Sequence, residues 1–336
     1  MFPFSVVPGS SVRRILSTAR PDVVETVRRA YLLHHEGETV NPPSQFLRFP
    51  DKPSARIIGL PAYLGGEYRV AGMKWIASFP TNVAQNVPRA SAVLLLNDYD
   101  TGYPFACLEA SQISAARTAA SAVLGAEQLA GDGSVGRVTF IGCGIIARNI
   151  LEYMVARHWR IDRISTHDMA PSYAQSFATF AEQNLGLAAR VTSSLEDAIT
   201  GADVVVLATT AANPYIRDRG IFAPGQVVLN ISLRDLDPVV VAEAHNIVDD
   251  VDHCLTANTS VHLTEQALGT RDFIKGTLAE LMVGNVKFGT DRPRIFSPFG
   301  LGVLDLAVGM FVYRAAAGAR DTEQVADFFA ETTRWN

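Results

Sequence analysis

Apolar positions recur at helical spacing over residues 11–36, with Val12, Ile15, Leu16, Val23, Val24, Val27 and Leu32 on one side. Pro21 divides this stretch, as the first residue of a second helix. Residues 41–53 are rich in proline and polar side chains and are predicted as loop. Strands are predicted over 56–60, 68–78, 92–97 and 103–108, the last two joined by the turn Asp98-Tyr99-Asp100-Thr101-Gly102. The first third therefore reads as a largely antiparallel sheet. An alanine-rich helix follows over 111–130 and stops at Gly131-Asp132-Gly133.

The pattern then changes. Apolar strands alternate with helices, with strands predicted near 138–141, 163–168, 190–192, 203–209, 226–232 and 246–250. Runs such as Val204-Val205-Val206-Leu207 are apolar on both faces, as a buried parallel sheet requires. A last long helix, rich in Leu, Val, Ala and Met, is predicted over 299–318. The fold class is α/β: a Rossmann-like doubly wound parallel sheet over 132–298, with 1–131 and 299–336 forming one discontinuous α+β domain. Ligand is expected in the cleft between the two.

The alternating half is organised around Val138-Thr139-Phe140-Ile141-Gly142-Cys143-Gly144-Ile145-Ile146-Ala147. An apolar strand ends in a glycine turn that opens an amphipathic helix, which is the context that gives G-x-G-x-x-A its meaning. Gly142 permits the tight turn, Gly144 lets the backbone approach a pyrophosphate, and Ala147 lets the helix pack on the strand. The helix start at Ile145 and Ile146 offers free N–H groups to phosphate. The next strand ends in Asp168, placed to accept hydrogen bonds from the adenosine ribose hydroxyls. No Arg or Lys stands among Met169, Ala170, Pro171 and Ser172 to meet a 2′-phosphate, so NAD is expected over NADP.

Composition narrows the function classes. A chain of 336 residues with a net charge of −5 suits an ordinary globular protein and gives no reason to expect nucleic acid as a partner. No apolar run is long enough to span a bilayer, so no membrane role is expected. The N-terminal stretch lacks the layout of a signal peptide. Cys107, Cys143 and Cys254 are too few and too scattered for a disulfide framework or a zinc site. A cytoplasmic setting and no metal are expected.

Three charged residues are candidates for chemistry. Lys74 lies on a strand with apolar flanks; read alone, it is a lysine at a sheet edge facing water, whereas a buried lysine would hold a carboxylate or move a proton. Arg117 sits among small residues near a helix start, with room for a carboxylate to approach its guanidinium fork. Asp235 follows Asn230-Ile231-Ser232-Leu233-Arg234 at the carboxyl end of a parallel strand, where an acid either manages protons or caps the turn before Asp237-Pro238. Two further stretches read as ordinary structure. Gly300-Leu301-Gly302-Val303-Leu304-Asp305 is a helix entry near the cofactor rather than a second glycine loop. Asp249-Asp250-Val251-Asp252-His253 is a solvated turn rather than a metal site.

Taken together, Gly72-Met73-Lys74, Ser114-x-x-Arg117-Thr118-Ala119-Ala120, the Gly142–Ala147 loop and the Asn230–Asp235 segment resemble the ornithine cyclodeaminase/μ-crystallin family along nearly the whole chain. The resemblance implies a homodimer, with 1–131 and 299–336 as the substrate-binding and dimerisation domain. It adds Thr118, Thr209, Asn230, Ile231 and Ser232 to the expected cofactor contacts.

A closer resemblance, to a siderophore-pathway branch of the family, rests on seven segments: Met73-Lys74-Trp75-Ile76, Arg89-Ala90-Ser91, Leu96-Asn97-Asp98, Glu109-Ala110-Ser111, Ile141-Gly142-Cys143-Gly144, Val248-Asp249-Asp250 and Pro298-x-Gly300. That branch implies NAD-dependent oxidative cleavage of N-(2-amino-2-carboxyethyl)-L-glutamate to L-2,3-diaminopropionate and 2-oxoglutarate. It also implies a pyridoxal-phosphate-dependent synthase as pathway neighbour. In that reading Lys74 and Arg117 hold the α-carboxylate, Asp235 manages protons, and Arg56 and Arg89 face the other carboxylates. After Asp235 the cyclodeaminases carry a lysine in a G-K pair, where this chain has Pro238-Val239. The alternatives are an ornithine cyclodeaminase or alanine dehydrogenase of the same fold, and a cofactor-binding protein without turnover.

Overall fold

The computed structural model describes residues 2–131 and 133–334; Asp132, within the predicted helix stop, lies outside them. The chain forms two compact units, residues 1–117 with 301–336 and residues 118–300. They part inside the alanine-rich helix, whereas the sequence boundaries kept that whole helix with the N-terminal third.

The first unit begins with a strand that the sequence did not signal, β1 (Phe4–Val7). The helix pair follows as α1 (Gly9–Thr18) and α2 (Arg20–His35). Pro21 stands in the first turn of α2, where its missing N–H forfeits no bond. After β2 (Thr39–Val40), the predicted loop contains a strand, β3 (Gln45–Phe49). Pro42, Pro43 and Pro50 flank this strand without interrupting it, so its N–H groups are free to pair. Its partner β4 (Lys52–Leu64) is longer than predicted. Pro61 falls between the residues of β4 that meet β3 and those that meet β2, so it blocks neither ladder. Then come β5 (Val70–Ser78), a short 3₁₀ turn at Pro80–Gln85, β6 (Ala90–Asp98), β7 (Pro104–Glu109) and the helix α3 (Ser111–Ala130).

The second unit alternates strand and helix: β8 (Ser134–Ile141), α4 (Ile145–Ala156), β9 (Arg160–His167), α5 (Pro171–Leu185), β10 (Ala189–Val191), α6 (Leu195–Ile199) and β11 (Val204–Leu207). It continues through β12 (Val227–Asn230), α7 (Pro238–Val241), β13 (His245–Val248), α8 (Val251–Cys254), α9 (Ser260–Leu268), β14 (Ile274–Thr277), α10 (Leu278–Met282) and β15 (Arg294–Ser297). These strands pair in parallel in the order β10-β9-β8-β11-β12-β15-β13-β14. The first five follow the Rossmann order, with the crossover beside β8 where the glycine loop emerges. Val204 to Leu207 and Val227 to Asn230 are fully buried, as expected for a sheet covered on both faces. β14 and β15 were not predicted. Four residues of mixed character give no periodic signal, and only the slot between β12 and β13 makes Arg294–Ser297 a strand.

The chain then returns to the first unit through α11 (Gly302–Gly318) and the short β16 (Glu323–Val325). The first sheet runs β16-β1-β7-β6-β5-β4-β2, with β3 also paired to β4. On one face Leu60, Leu64, Val70, Leu94 and Leu96 are buried, and α11 packs on β4, β5 and β6. On the other, the cross-strand neighbours Trp75 and Val93 remain 39% and 41% exposed. Among the described residues no helix is long and apolar enough to cross a membrane.

Two glycines set how closely α11 approaches the sheet. A Cβ on Gly72 would lie 2.2 Å from Leu95 O and 2.8 Å from Leu306 Cδ2. A Cβ on Gly309 would lie 2.2 Å from Leu94 Cδ2. Gly72→Ala forces β5, β6 and α11 apart. The expected loss is about 1–3 kcal/mol of stability, measured by denaturant unfolding; an unchanged midpoint would show that the sheet absorbs the methyl group.

Candidate active site

The candidate residues fall into two groups, one in each unit. In the first unit, strand alternation puts Lys74 on the helix-covered face of β5, between Leu60 of β4 and Leu94 of β6. The sheet-edge reading of Lys74 is thereby overturned: β5 is an inner strand and Lys74 is 2% exposed. Its Nζ donates to Asp305 Oδ2 at 2.6 Å and to Ser114 Oγ at 3.1 Å. Arg117, one helical turn beyond Ser114 on α3, donates Nε to Asp305 Oδ1 at 3.2 Å. Asp305 is fully buried in the first turn of α11 and grips both cations.

Two cations share one anion in this cluster, a formal excess of one positive charge. Burial first, and the neighbouring Arg117 second, lower the Lys74 ammonium to about 8, while Asp305 pulls the other way. Attraction for an anionic ligand therefore weakens as pH rises through that value. Arg56 and Arg89 lie further along the same sheet face: Arg56 is opposite Ser78, and Arg89 Nε donates to Ser78 Oγ at 3.1 Å.

In the second unit, Gly142 adopts φ +85°, and a Cβ there would lie 2.6 Å from Ala208 O, so both conformation and space demand glycine. A Cβ on Gly144 would meet nothing within 4 Å, which leaves open the side from which a pyrophosphate approaches. Gly144 caps α4 without a side-chain hydrogen bond, and the first helical N–H groups, Ile145 and Ile146, have no partner within the helix. Asp168, just past β9, accepts from Cys143 N at 2.8 Å and Ala170 N at 2.9 Å. It holds the loop and keeps lone pairs for ribose hydroxyls. The buried Ala147 packs the helix on the sheet. These residues fit NAD.

Asp235 is fully buried beyond β12. Its Oδ1 accepts from Thr209 Oγ1 at 2.5 Å, and its Oδ2 accepts from Ser232 Oγ. Burial raises its pKa against the lowering effect of those two hydroxyls. Leu233 sits at φ +74°, an unusual backbone for a branched residue, in the turn that aims Asp235 inward. Asn230 donates Nδ2 to Ser297 Oγ at 3.0 Å, while its buried Oδ1 has no partner. Ile231 and Ser232 donate their backbone N–H groups to Leu207 O. Thr118 follows Arg117 on α3.

The acidic stretch after β13 needs correction. Asp249 is buried rather than solvated; Oδ1 accepts from Phe299 N at 2.9 Å and Oδ2 from Gly300 N at 2.7 Å, anchoring the segment before α11. No three or more His, Cys, Asp or Glu side chains converge in a metal-binding arrangement among the described residues. Sequence reasoning missed Asp305, treating it as the end of a glycine-rich stretch. Its signal was present as a lone acid inside the apolar run Val303–Val312.

The sequence profile of the ornithine cyclodeaminase/mu-crystallin family matches residues 10–320. This chain belongs to that family. N-((2S)-2-amino-2-carboxyethyl)-L-glutamate dehydrogenase of Staphylococcus aureus is 30% identical over 302 residues, covering 87% of this chain and 89% of that protein. Alanine dehydrogenase of Archaeoglobus fulgidus is 28% identical over 310 residues, covering 88% of this chain and 90% of its own. In fold, the chain is similar to Δ1-pyrroline-2-carboxylate reductase of Thermococcus litoralis, solved with NADH and L-proline, at a TM-score of 0.88 and 24% identity over 96% of this chain and 100% of that one.

Asp305→Asn keeps the shape and removes the charge that holds Lys74 and Arg117. Breaking a buried ion pair at one partner is expected to cost about 3–5 kcal/mol, read from urea unfolding at neutral pH. A loss below about 1 kcal/mol would mean that water or another group compensates the two cations.

Proposed function

We propose that this chain oxidatively cleaves N-(2-amino-2-carboxyethyl)-L-glutamate, with NAD and water, to 2-oxoglutarate and L-2,3-diaminopropionate. The chain is an NAD-dependent amino-acid dehydrogenase, and bound NAD supplies a hydride acceptor. The observation that carries the reading is the buried excess positive charge of Lys74, Arg117 and Asp305, which a substrate carboxylate neutralises. Arg117 offers a fork for bidentate contact, and Lys74 adds a point charge. Arg56 and Arg89 supply cations for the remaining carboxylates. The similarity to the Staphylococcus aureus enzyme supports this choice of substrate over ornithine or alanine.

Asp235 manages protons. Its burial favours the neutral carboxyl, while Thr209 and Ser232 stabilise the carboxylate, so it can both hold and release a proton. It takes a proton from the water that adds to the substrate imine and delivers one to the departing amine. One Cα–H bond is broken as hydride and one C–N bond is hydrolysed; water supplies the carbonyl oxygen of 2-oxoglutarate and one proton to the amine, and one proton is released to solvent alongside NADH. In a pathway, a pyridoxal-phosphate-dependent synthase that joins an amino-acid side chain to glutamate would supply the substrate.

We also propose a homodimer through the uncovered face of the first sheet, where Trp75, Val93 and Leu47 are exposed together. Light scattering is expected to give twice the chain mass, and Trp75→Glu to shift it toward the monomer. A wild-type monomer at micromolar concentration would refute this.

The substrate assignment is tested by NADH absorbance and product mass with the glutamate adduct, ornithine and alanine. Turnover is expected with the adduct alone, releasing 2-oxoglutarate. Asp235→Asn is expected to slow it by about 10²–10⁴-fold with NAD still bound. Turnover of alanine or ornithine in place of the adduct would overturn the assignment, and near-normal turnover in the variant would return Asp235 to a turn residue.

A further inference from the structure

Asp235 is aimed by a backbone joint at Leu233. Before the joint, Ile231 and Ser232 both donate their N–H groups to Leu207 O at 3.0 Å. After it, Asp235 O accepts from Tyr215 N at 3.1 Å and from Ile216 N at 3.0 Å, and Ile216 forms a parallel bridge with Leu236. Leu233 turns the chain between these two anchors at φ +74°. A bulky L side chain disfavours that left-handed conformation, because its Cβ crowds the following carbonyl. Such a residue persists only where its surroundings outweigh the cost.

Those surroundings are the loop between α8 and α9. Arg234, next to the joint, donates Nη2 to Ala257 O at 2.6 Å and Nε to Asn258 O at 3.1 Å. Ala257 and Asn258 are themselves left-handed, at φ +53° and +52°. The loop is fixed at both ends: Thr259 Oγ1 donates to Cys254 O at 2.5 Å and accepts from His262 N at 3.1 Å. The buried Ser260 then grips both flanks of Arg234 and Asp235. Its N–H donates to Leu233 O at 2.7 Å, and its Oγ accepts from Leu236 N at 3.1 Å. The two bonds from Arg234 carry its charge, which makes them the stronger pair.

We propose that Arg234 is a positioning residue for the reaction: by holding the carbonyls of Ala257 and Asn258 it keeps Leu233 in its left-handed conformation and so aims the Asp235 carboxylate. The proposal rests on Asp235 handling protons. Ser260 completes the brace from the other side. Glycine at the joint would adopt the same backbone without strain; this chain carries a leucine there, and the hydrogen bonds from the α8–α9 loop hold it. Acid–base work needs that hold, because a catalytic group displaced by about 1 Å loses much of its effect.

Turnover and NADH affinity of Arg234→Gln, with and without Leu233→Gly, test the brace on whichever amino acid the protein oxidises, so a wrong substrate assignment leaves the comparison intact. Arg234→Gln is expected to lower kcat by about 10- to 100-fold, the scale of a misplaced catalytic group. KM, and NADH affinity read by fluorescence, are expected to stay near wild type. Arg234→Lys is expected to restore part of the rate, because one ammonium offers donors to both carbonyls. In the Leu233→Gly background the loss from Arg234→Gln is expected to shrink to about threefold or less, since the strain that couples the two residues is gone. Where Arg234→Gln does not fold, Ser260→Ala carries the same comparison. No loss of kcat, a loss that falls on NADH affinity instead, or a loss of equal size in both backgrounds overturns the proposal. A loss that depends on the background, beside near-normal turnover in Asp235→Asn, keeps the brace and removes the role given to Asp235. A severe loss in Asp235→Asn, beside an Arg234→Gln loss that ignores the background, keeps that role and removes the brace.

Discussion

The grip of Asp305 on Lys74 and Arg117 is the interaction on which the first unit depends. A lysine this deeply buried is costly unless paired, and its neighbours across the sheet, Leu60 and Leu94, offer nothing polar. The single carboxylate of α11 makes the burial tolerable, and it reaches Lys74 because α11 lies close on the sheet. Gly72 and Gly309 permit that approach. Packing thus decides charge: two missing methyl groups let one acid meet two bases.

The second unit works by a different constraint. A parallel sheet brings the carboxyl ends of its strands to one edge, and side chains just beyond those ends share a crevice. The Gly142 loop, Asp168, Thr209 and the Asn230–Asp235 segment follow β8, β9, β11 and β12 respectively. Asp235 shows how finely such a turn is set. Leu233 accepts an unfavourable backbone, Ser232 and Thr209 turn their hydroxyls onto the carboxylate, and burial opposes its ionisation.

The sequence by itself determined the elements whose signal is local. The helix pair with Pro21, the alanine-rich helix, the apolar strands of the second unit and the glycine loop with Asp168 all follow from periodicity and turn chemistry within short windows. Lys74, Arg117 and Asp235 were legible as candidates because charged residues among small or apolar neighbours stand out. Tertiary structure alone decided which partner each of those residues meets. Whether Lys74 faces water or the core depends on β5 being an inner strand, and β3, hidden in a proline-rich stretch, is part of what makes the sheet wide. Asp305 lies 231 positions from Lys74, and Asp249 meets backbone N–H groups 50 and 51 positions away. Pairings across such separations leave no periodic trace, because a side chain's partner is set by how elements pack rather than by what stands beside it in the chain. β14 and β15 were invisible for the same reason: four residues become a strand only when neighbouring strands offer their unpaired N–H and C=O groups.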